Sequence, residues 1–143
     1  MVMVEEQVRD QALEPVITTA PPAFLGWAKA VGLAWAVGLP AGLALEPAPT
    51  QPDAVPSVLG TVLSFALISL LAATASGLVQ RARWGFAASA GGAFLLAGMA
   101  IACPVSGHHA MGLWWVGQAA IAVGLMALSV FGWQRAGSTS ASR

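Results

Sequence analysis

The residues best suited to chemistry lie in one short segment, CPVSGHH, which contains Cys103, His108 and His109. A cysteine thiolate and histidine imidazoles are the ligands that copper and zinc prefer in proteins. Three such donors within seven residues predict a copper or zinc site, with Glu46 or Asp53 as a further ligand. Adjacent histidines on an extended segment point to opposite sides, so Cys103 and one histidine are easier to bring together than all three.

The same segment has a second interpretation, as a compact turn at a membrane boundary. Pro104 and Gly107 would shape the turn, the imidazoles would bond to headgroups or carbonyls, and Cys103 would pack as a small apolar residue. A third alternative is contact with a cofactor or subunit of a neighbouring protein. Copper or zinc is therefore the one cofactor that the sequence suggests.

Other kinds of site are excluded by composition. One cysteine cannot form an internal disulfide, a CxxC redox pair or a four-cysteine zinc site. Six basic residues and a net charge of zero give no basic stripe for phosphate backbones, so nucleic-acid binding is not expected. With no catalytic set of residues either, the sequence predicts a protein that is not an enzyme.

The segments that flank CPVSGHH are apolar enough to lie in lipid. Of the 143 residues, 57% are hydrophobic and only 8% are charged, with a mean hydropathy of +0.76, whereas a soluble domain carries about 25% charged residues. A crossing needs about 20 apolar residues. The sequence therefore predicts an all-α fold, an integral membrane four-helix bundle with crossings at residues 22–45, 56–80, 84–102 and 110–133.

The predicted organisation is a polar leader (residues 1–21, with spacing that suits a short surface helix), a four-helix domain (22–133) and a polar tail (134–143). With both termini on one side, every basic residue falls on that side, and short cytoplasmic loops retain such residues. We therefore expect both termini in the cytoplasm and CPVSGHH on the outer face of the inner (plasma) membrane. Abundant Arg, Ala and Gly hint at a bacterial source.

Four residues within or beside the crossings are predicted to contact partners or lipid. Lys29 lies about two turns into the first crossing, where its stem can reach headgroups or pair with a partner subunit. Gln118 lies about two turns into the fourth and can hydrogen-bond to a neighbouring helix. Trp114 and Trp115 mark the outer boundary.

Small residues allow helices to approach closely in lipid. Three small-xxx-small pairs are therefore candidate tight contacts: Gly38 with Gly42, Ala88 with Gly92, and Ala120 with Gly124.

The predicted function is that of a small non-catalytic accessory subunit or assembly factor of a larger membrane complex, with a respiratory or energy-transducing complex as the natural host. The chain offers no buried acid, redox pair or phosphate loop, while its glycine-rich and tryptophan-bearing faces suit packing against other helices. Its partners would be the lipid bilayer and other membrane-protein subunits. One alternative is copper or zinc handling through the CPVSGHH turn. Another is a small oligomeric transporter with Lys29 and Gln118 along its path.

Overall fold

A computed structural model describes residues 22–48, 58–105 and 112–138. The regular structure in these ranges is helical: α1 (Pro22–Leu45), α2 (Val58–Val79), α3 (Trp84–Val105) and α4 (Leu113–Ser138). Each helix is long and apolar enough to span a membrane. The predicted all-α class with four membrane-span-like helices is confirmed. The leader at residues 1–21 lies outside the described residues.

The helix bounds match the prediction best at the first crossing and worst at the last. α1 begins and ends where the apolar run predicts, and α2 ends one residue early. α4 starts at Leu113 and continues to Ser138, five residues into the predicted polar tail. Gln, Arg and Ala in that stretch favour helix, and Arg135 in the last turn interacts well with the helix dipole.

The prediction that Cys103 and Pro104 lie in a turn is wrong. Both belong to α3, which continues through Val105. Proline has a backbone φ that suits a helix, and near a helix end it removes only one hydrogen bond. An irregular segment at the edge of lipid would leave more backbone groups without partners. Cys103 is therefore held at a fixed position in the last turn of α3.

The helices pack in the order α2, α3, α4, α1. α2 packs against α3, α1 packs against α4, and α1 touches α3 only slightly, so α1 and α2 are edge helices that scarcely meet. We call the starts of α1 and α3 and the ends of α2 and α4 the turn end, and the opposite side the cavity end. The turn end is the predicted cytoplasmic side.

The turn end is closed by two glycines that let backbones touch. A Cβ atom on Gly77 of α2 would lie 2.5 Å from the Cα atom of Gly85 of α3. Neighbouring Phe86 is fully buried, with its ring 5.3 Å from the ring of Phe24 in a T-shaped pair, and a Cβ atom on Gly132 of α4 would lie 2.5 Å from the Phe86 ring. Three helices therefore meet on one aromatic ring.

The small-residue pairs behave differently from one another. A Cβ atom on Gly38 would lie 3.1 Å from Ile121 of α4, and one on Gly92 would lie 3.3 Å from Trp35 of α1, so both glycines are at helix contacts. Gly124 has no other part of the described chain within 4 Å of its Cβ position. Ala120 and Gly124 both face outward from α4, so the tight contact predicted for this pair is not made within the described chain.

Candidate functional site

A cavity of about 110 Å³ lies between the helices at the cavity end. Its walls are mostly apolar and come from all four helices, and they include Leu39, Leu43, Leu67, Leu96, Met99 and Ile121. Because α1 and α2 scarcely touch, the cavity occupies the space that a closed bundle would fill with their side chains.

Three polar residues line the same cavity: Glu46, Cys103 and Gln118. Glu46 follows the end of α1, Cys103 lies in the last turn of α3, and Gln118 lies in the second turn of α4. These helix ends share one side of the molecule, which is why the three side chains meet. Within the described ranges, Glu46 and Cys103 are the only residues of the Asp, Glu, His and Cys types.

Gln118 joins α4 to the end of α1. Its Nε2 group donates a hydrogen bond of 3.0 Å to the carbonyl oxygen of Gly42. This carbonyl belongs to the last turn of α1, where the Glu46 amide bonds to Leu43 instead, at 3.2 Å. Gln118 therefore satisfies a carbonyl that the helix itself leaves without a partner. The hydrogen bond between helices expected for Gln118 is present within the chain, and its contact with a partner protein stays a prediction.

The metal prediction is only partly covered by the described residues. No three His, Cys, Asp or Glu side chains in those ranges lie close enough together to hold a metal ion. His108, His109 and Asp53 lie outside the described residues. The structure does place Glu46 beside the same cavity as Cys103, whereas copper or zinc binding by Cys103 with the two histidines stays a prediction.

The other predicted contact residues do not join this site. Lys29 is exposed on α1, about 20 Å along the helix axis from Gly42, so it does not share the cavity with Gln118. Trp114 is half-buried and lies over Gly112. The Trp115 Nε1 atom is buried and has no hydrogen-bond partner among the described residues.

A buried polar chain links three helices nearer the turn end. Trp35 Nε1 of α1 donates to Ser89 Oγ of α3 at 2.8 Å, Ser89 Oγ lies 2.7 Å from Ser129 Oγ of α4, and Ser129 bonds to the Leu125 carbonyl at 2.6 Å. A carbonyl only accepts, so Ser129 uses its single proton there and Ser89 must donate to Ser129. Each hydrogen-bonding group of this polar chain therefore has a partner, and the donors all point from Trp35 toward the Leu125 carbonyl.

The sequence alone did not predict this buried polar chain of Trp35, Ser89 and Ser129. One signal was available, because Trp35 lies in mid-crossing whereas the other tryptophans lie near predicted membrane boundaries. An indole N–H at that depth needs a partner. The partner itself could not be chosen from sequence, since several hydroxyl residues lie in the other crossings.

The arrangement at the cavity can bind a small apolar group and place one charged or polar atom beside Glu46. Because the walls are mostly apolar, binding is the chemistry that the geometry supports. No protein-family model matches the chain, and no curated protein or solved structure matches it.

Proposed function

We propose that this protein is a non-catalytic accessory subunit or assembly factor that binds a larger membrane complex through α2. It lies in a bacterial plasma membrane with both termini in the cytoplasm, and the natural host is a respiratory or energy-transducing complex. The observation that carries the proposal is the composition of the α2 face that the rest of the chain leaves uncovered.

α2 uses only a narrow face within the chain. Its buried residues are Leu67, Thr74 and Gly77, which fall on one side of the helix and face α3. In the most apolar stretch of α2, 11% of the residues are buried, which is the same share as in α1 and lower than the 28% in α3. Most of the α2 surface is therefore available to lipid or to another helix.

The uncovered side of α2 is richer in small and hydroxyl residues than a lipid-facing surface needs. At helical spacing, the face opposite Leu67 carries the exposed small and hydroxyl residues Thr61, Ser69, Ala72 and Ser76, beside the exposed apolar residues Val58, Val62, Phe65 and Val79. Small residues and hydroxyls favour close approach between helices, because leucine-like side chains gain nothing over lipid tails. This face, which we call the α2 outer face, suits a helix of another subunit.

The test is co-purification of the native protein in a mild detergent, with mass spectrometry of the partners and elemental analysis of the same fraction. We expect stoichiometric membrane-protein subunits with the wild type. Ala72→Phe places a bulky ring on the α2 outer face and should release them. Val37→Phe places the same ring on an exposed face of α1 that carries the bulky residue Leu33, and this variant should retain them.

Direct contact can be checked with a photo-crosslinking amino acid at position 72 or 37. Crosslinks to the co-purified subunit should form at 72 only. A wild-type protein that purifies as a homogeneous small particle would contradict the proposal, and so would equal retention of partners by the two phenylalanine variants.

A further inference from the structure

We propose that the cavity binds one acyl chain of a bilayer lipid, which enters from the side between α1 and α2 and lies parallel to the helices. The site uses the inner side of α2, so it is separate from the α2 outer face. It rests on the proposed membrane location of the protein and is independent of the accessory role. The position of the cavity mouth, the depth of the cavity and the chemistry of its walls carry this assignment.

The cavity opens at the surface of the bundle between the two edge helices. Leu43 of α1 lines the cavity and is 62% exposed, so the wall is continuous there with the outer surface. Leu67 of α2 and Ala100 of α3 line the same space and are buried, at 9% and 4% exposure. Because α1 and α2 scarcely touch, the mouth at Leu43 leads from the lipid-facing surface to a buried inner wall.

The depth of the cavity matches one leaflet of a bilayer. Its α1 wall runs from Glu46 to Gly38, which is about 12 Å along the helix axis. On the other side, Leu67 and Leu96 lie about 14 Å from the nearer ends of α2 and α3. Half of a hydrocarbon core of about 30 Å is about 15 Å. A chain from the leaflet at the cavity end can therefore lie along the cavity with its methyl end near Leu67.

The walls favour a hydrocarbon chain over water and over a protein helix. The inner part is lined by Leu67, Leu96, Met99 and Ala100, which carry no hydroxyl, amide or charged group, whereas a buried water needs several polar partners. A helix with its side chains is about 10 Å across. A space of about 110 Å³ is too small for one, since dry cavities of about 150 Å³ bind single small molecules such as benzene.

An acyl chain stabilises this end of the bundle without any polar contact. The atoms that line an empty cavity lack contacts on one side, and lipid tails are as apolar as leucine, so a chain restores those contacts. Gln118 already donates its hydrogen bond to the Gly42 carbonyl, so the ligand need not supply an acceptor. Lipids with the same chains and different headgroups should therefore bind alike.

The test places the full chain in nanodiscs of phosphatidylcholine whose acyl chain carries a diazirine, either near its methyl end or near its carbonyl end. Illumination releases N₂, the resulting carbene inserts into a nearby C–H bond, and mass spectrometry locates the adducts. We expect the methyl-end probe to label buried Leu67 and the carbonyl-end probe to label Leu43 instead. Phe94, which is 72% exposed on α3, reports labelling by lipid at the outer surface. Phosphatidylglycerol with the same methyl-end probe should give the same Leu67 adduct.

A filled variant and a matched control assign the adduct to the cavity. Ala100→Leu fills the inner wall and should lower the Leu67 adduct roughly tenfold relative to the Phe94 adduct. Leu96→Phe serves the same purpose if Ala100→Leu does not fold. Ala102→Leu makes the same change at an exposed position of α3, and this variant should retain the Leu67 adduct.

Adducts on Phe94 with none on Leu67 would overturn the proposal and leave the membrane location intact, because the space would then be empty or filled by protein. Adducts on neither residue would overturn the membrane location as well. Equal labelling of Leu67 in the Ala100→Leu and Ala102→Leu variants would also overturn the proposal, since the adduct would then not depend on the open cavity.

Discussion

The turn end and the cavity end draw on the same apolar and small residues, yet they pack differently. At the turn end, Gly77 and Gly85 bring two backbones together and Gly132 seats the buried Phe86 ring. At the cavity end, α1 and α4 meet through side chains: Gln118 donates one hydrogen bond, and Leu45 lies 2.8 Å from the Cβ position of Gly117, beside a cavity of about 110 Å³. Among the described residues, direct contact between helix backbones is found at the turn end.

The turn end therefore stabilises the fold, whereas the cavity end leaves space for a ligand. Glycine contacts and a satisfied polar chain fix the relative positions of α1, α3 and α4 near the turn end. In lipid there is little hydrophobic driving force for helix association, so close contacts and hydrogen bonds between helices supply most of the stability. The cavity end can then leave apolar space open without loss of the overall arrangement.

The largest effect should come from Gly85→Ala at the turn end. The added Cβ atom would lie 2.7 Å from the Leu78 backbone nitrogen and 2.8 Å from the Gly77 carbonyl carbon. Backbone atoms cannot rotate away, so α2 and α3 must separate. We expect the free energy of unfolding to fall by about 3 kcal/mol, as measured by titration with sodium dodecyl sulfate in mixed micelles.

Gly98→Ala is the matched control, since it lies on the same helix with nothing else in the described chain within 4 Å of its Cβ position. This variant should unfold at the same or slightly higher denaturant, because alanine has the better helix propensity. An equal loss in both variants would mean that helix propensity rather than the contact at the turn end is being measured.

The next largest effect should come from Ser89→Ala. This change leaves the buried Trp35 indole without its acceptor and removes the donor to Ser129. We expect a loss of about 1 to 2 kcal/mol in unfolding free energy. Ser64→Ala should be neutral, because this exposed hydroxyl bonds only to its own helix, at the Gly60 carbonyl. A double-mutant cycle with Trp35→Phe and Ser89→Ala would measure the coupling energy between the two side chains. A coupling energy of zero would contradict a stabilising role for the buried polar chain.

Sequence reasoning predicted the helices better than the contacts between them. Length and hydropathy suffice for four spans, and α1 was predicted from Pro22 to Leu45 as observed. The same reasoning could not choose which small residues touch. Gly92 meets Trp35, whereas Gly124 faces outward, because the choice depends on how each helix is rotated toward its neighbours.

The candidate site shows the same limit. Cys103 was predicted to be a metal ligand within a turn shaped by proline and glycine, but α3 continues through that position. The convergence of Cys103 with Glu46 and Gln118 depends on helix order, since α1 pairs with α4 rather than with α2. Hydropathy gives the number of helices and carries no information on that pairing.

A smaller effect should follow Gln118→Leu at the cavity end. The variant keeps the side-chain size but leaves the Gly42 carbonyl without its donor, which costs about 1 kcal/mol. We expect that loss to appear as local opening, with Cys103 alkylation roughly fivefold faster. Ser89→Ala should leave the Cys103 alkylation rate unchanged under native conditions. Equal acceleration in both variants would show that the two ends open together.

The smallest effect should be a gain, from Arg81→Gly in the turn between α2 and α3. Arg81 has a backbone φ of 57°, and the amides of Ala82 and Arg81 bond to the carbonyls of Gly77 and Leu78 at 2.8 and 3.2 Å. This is the Schellman ending of a helix, in which glycine is the usual residue at the position with positive φ. Relief of that conformation should raise the unfolding free energy by about 0.5 to 1 kcal/mol.

Arg81→Ala removes the same charge and keeps the strained backbone, so a gain in the glycine variant alone would assign the effect to φ. An equal gain in both variants would assign the effect to the lost charge instead. Electrostatic repulsion, rather than backbone geometry, would then limit the stability of this turn.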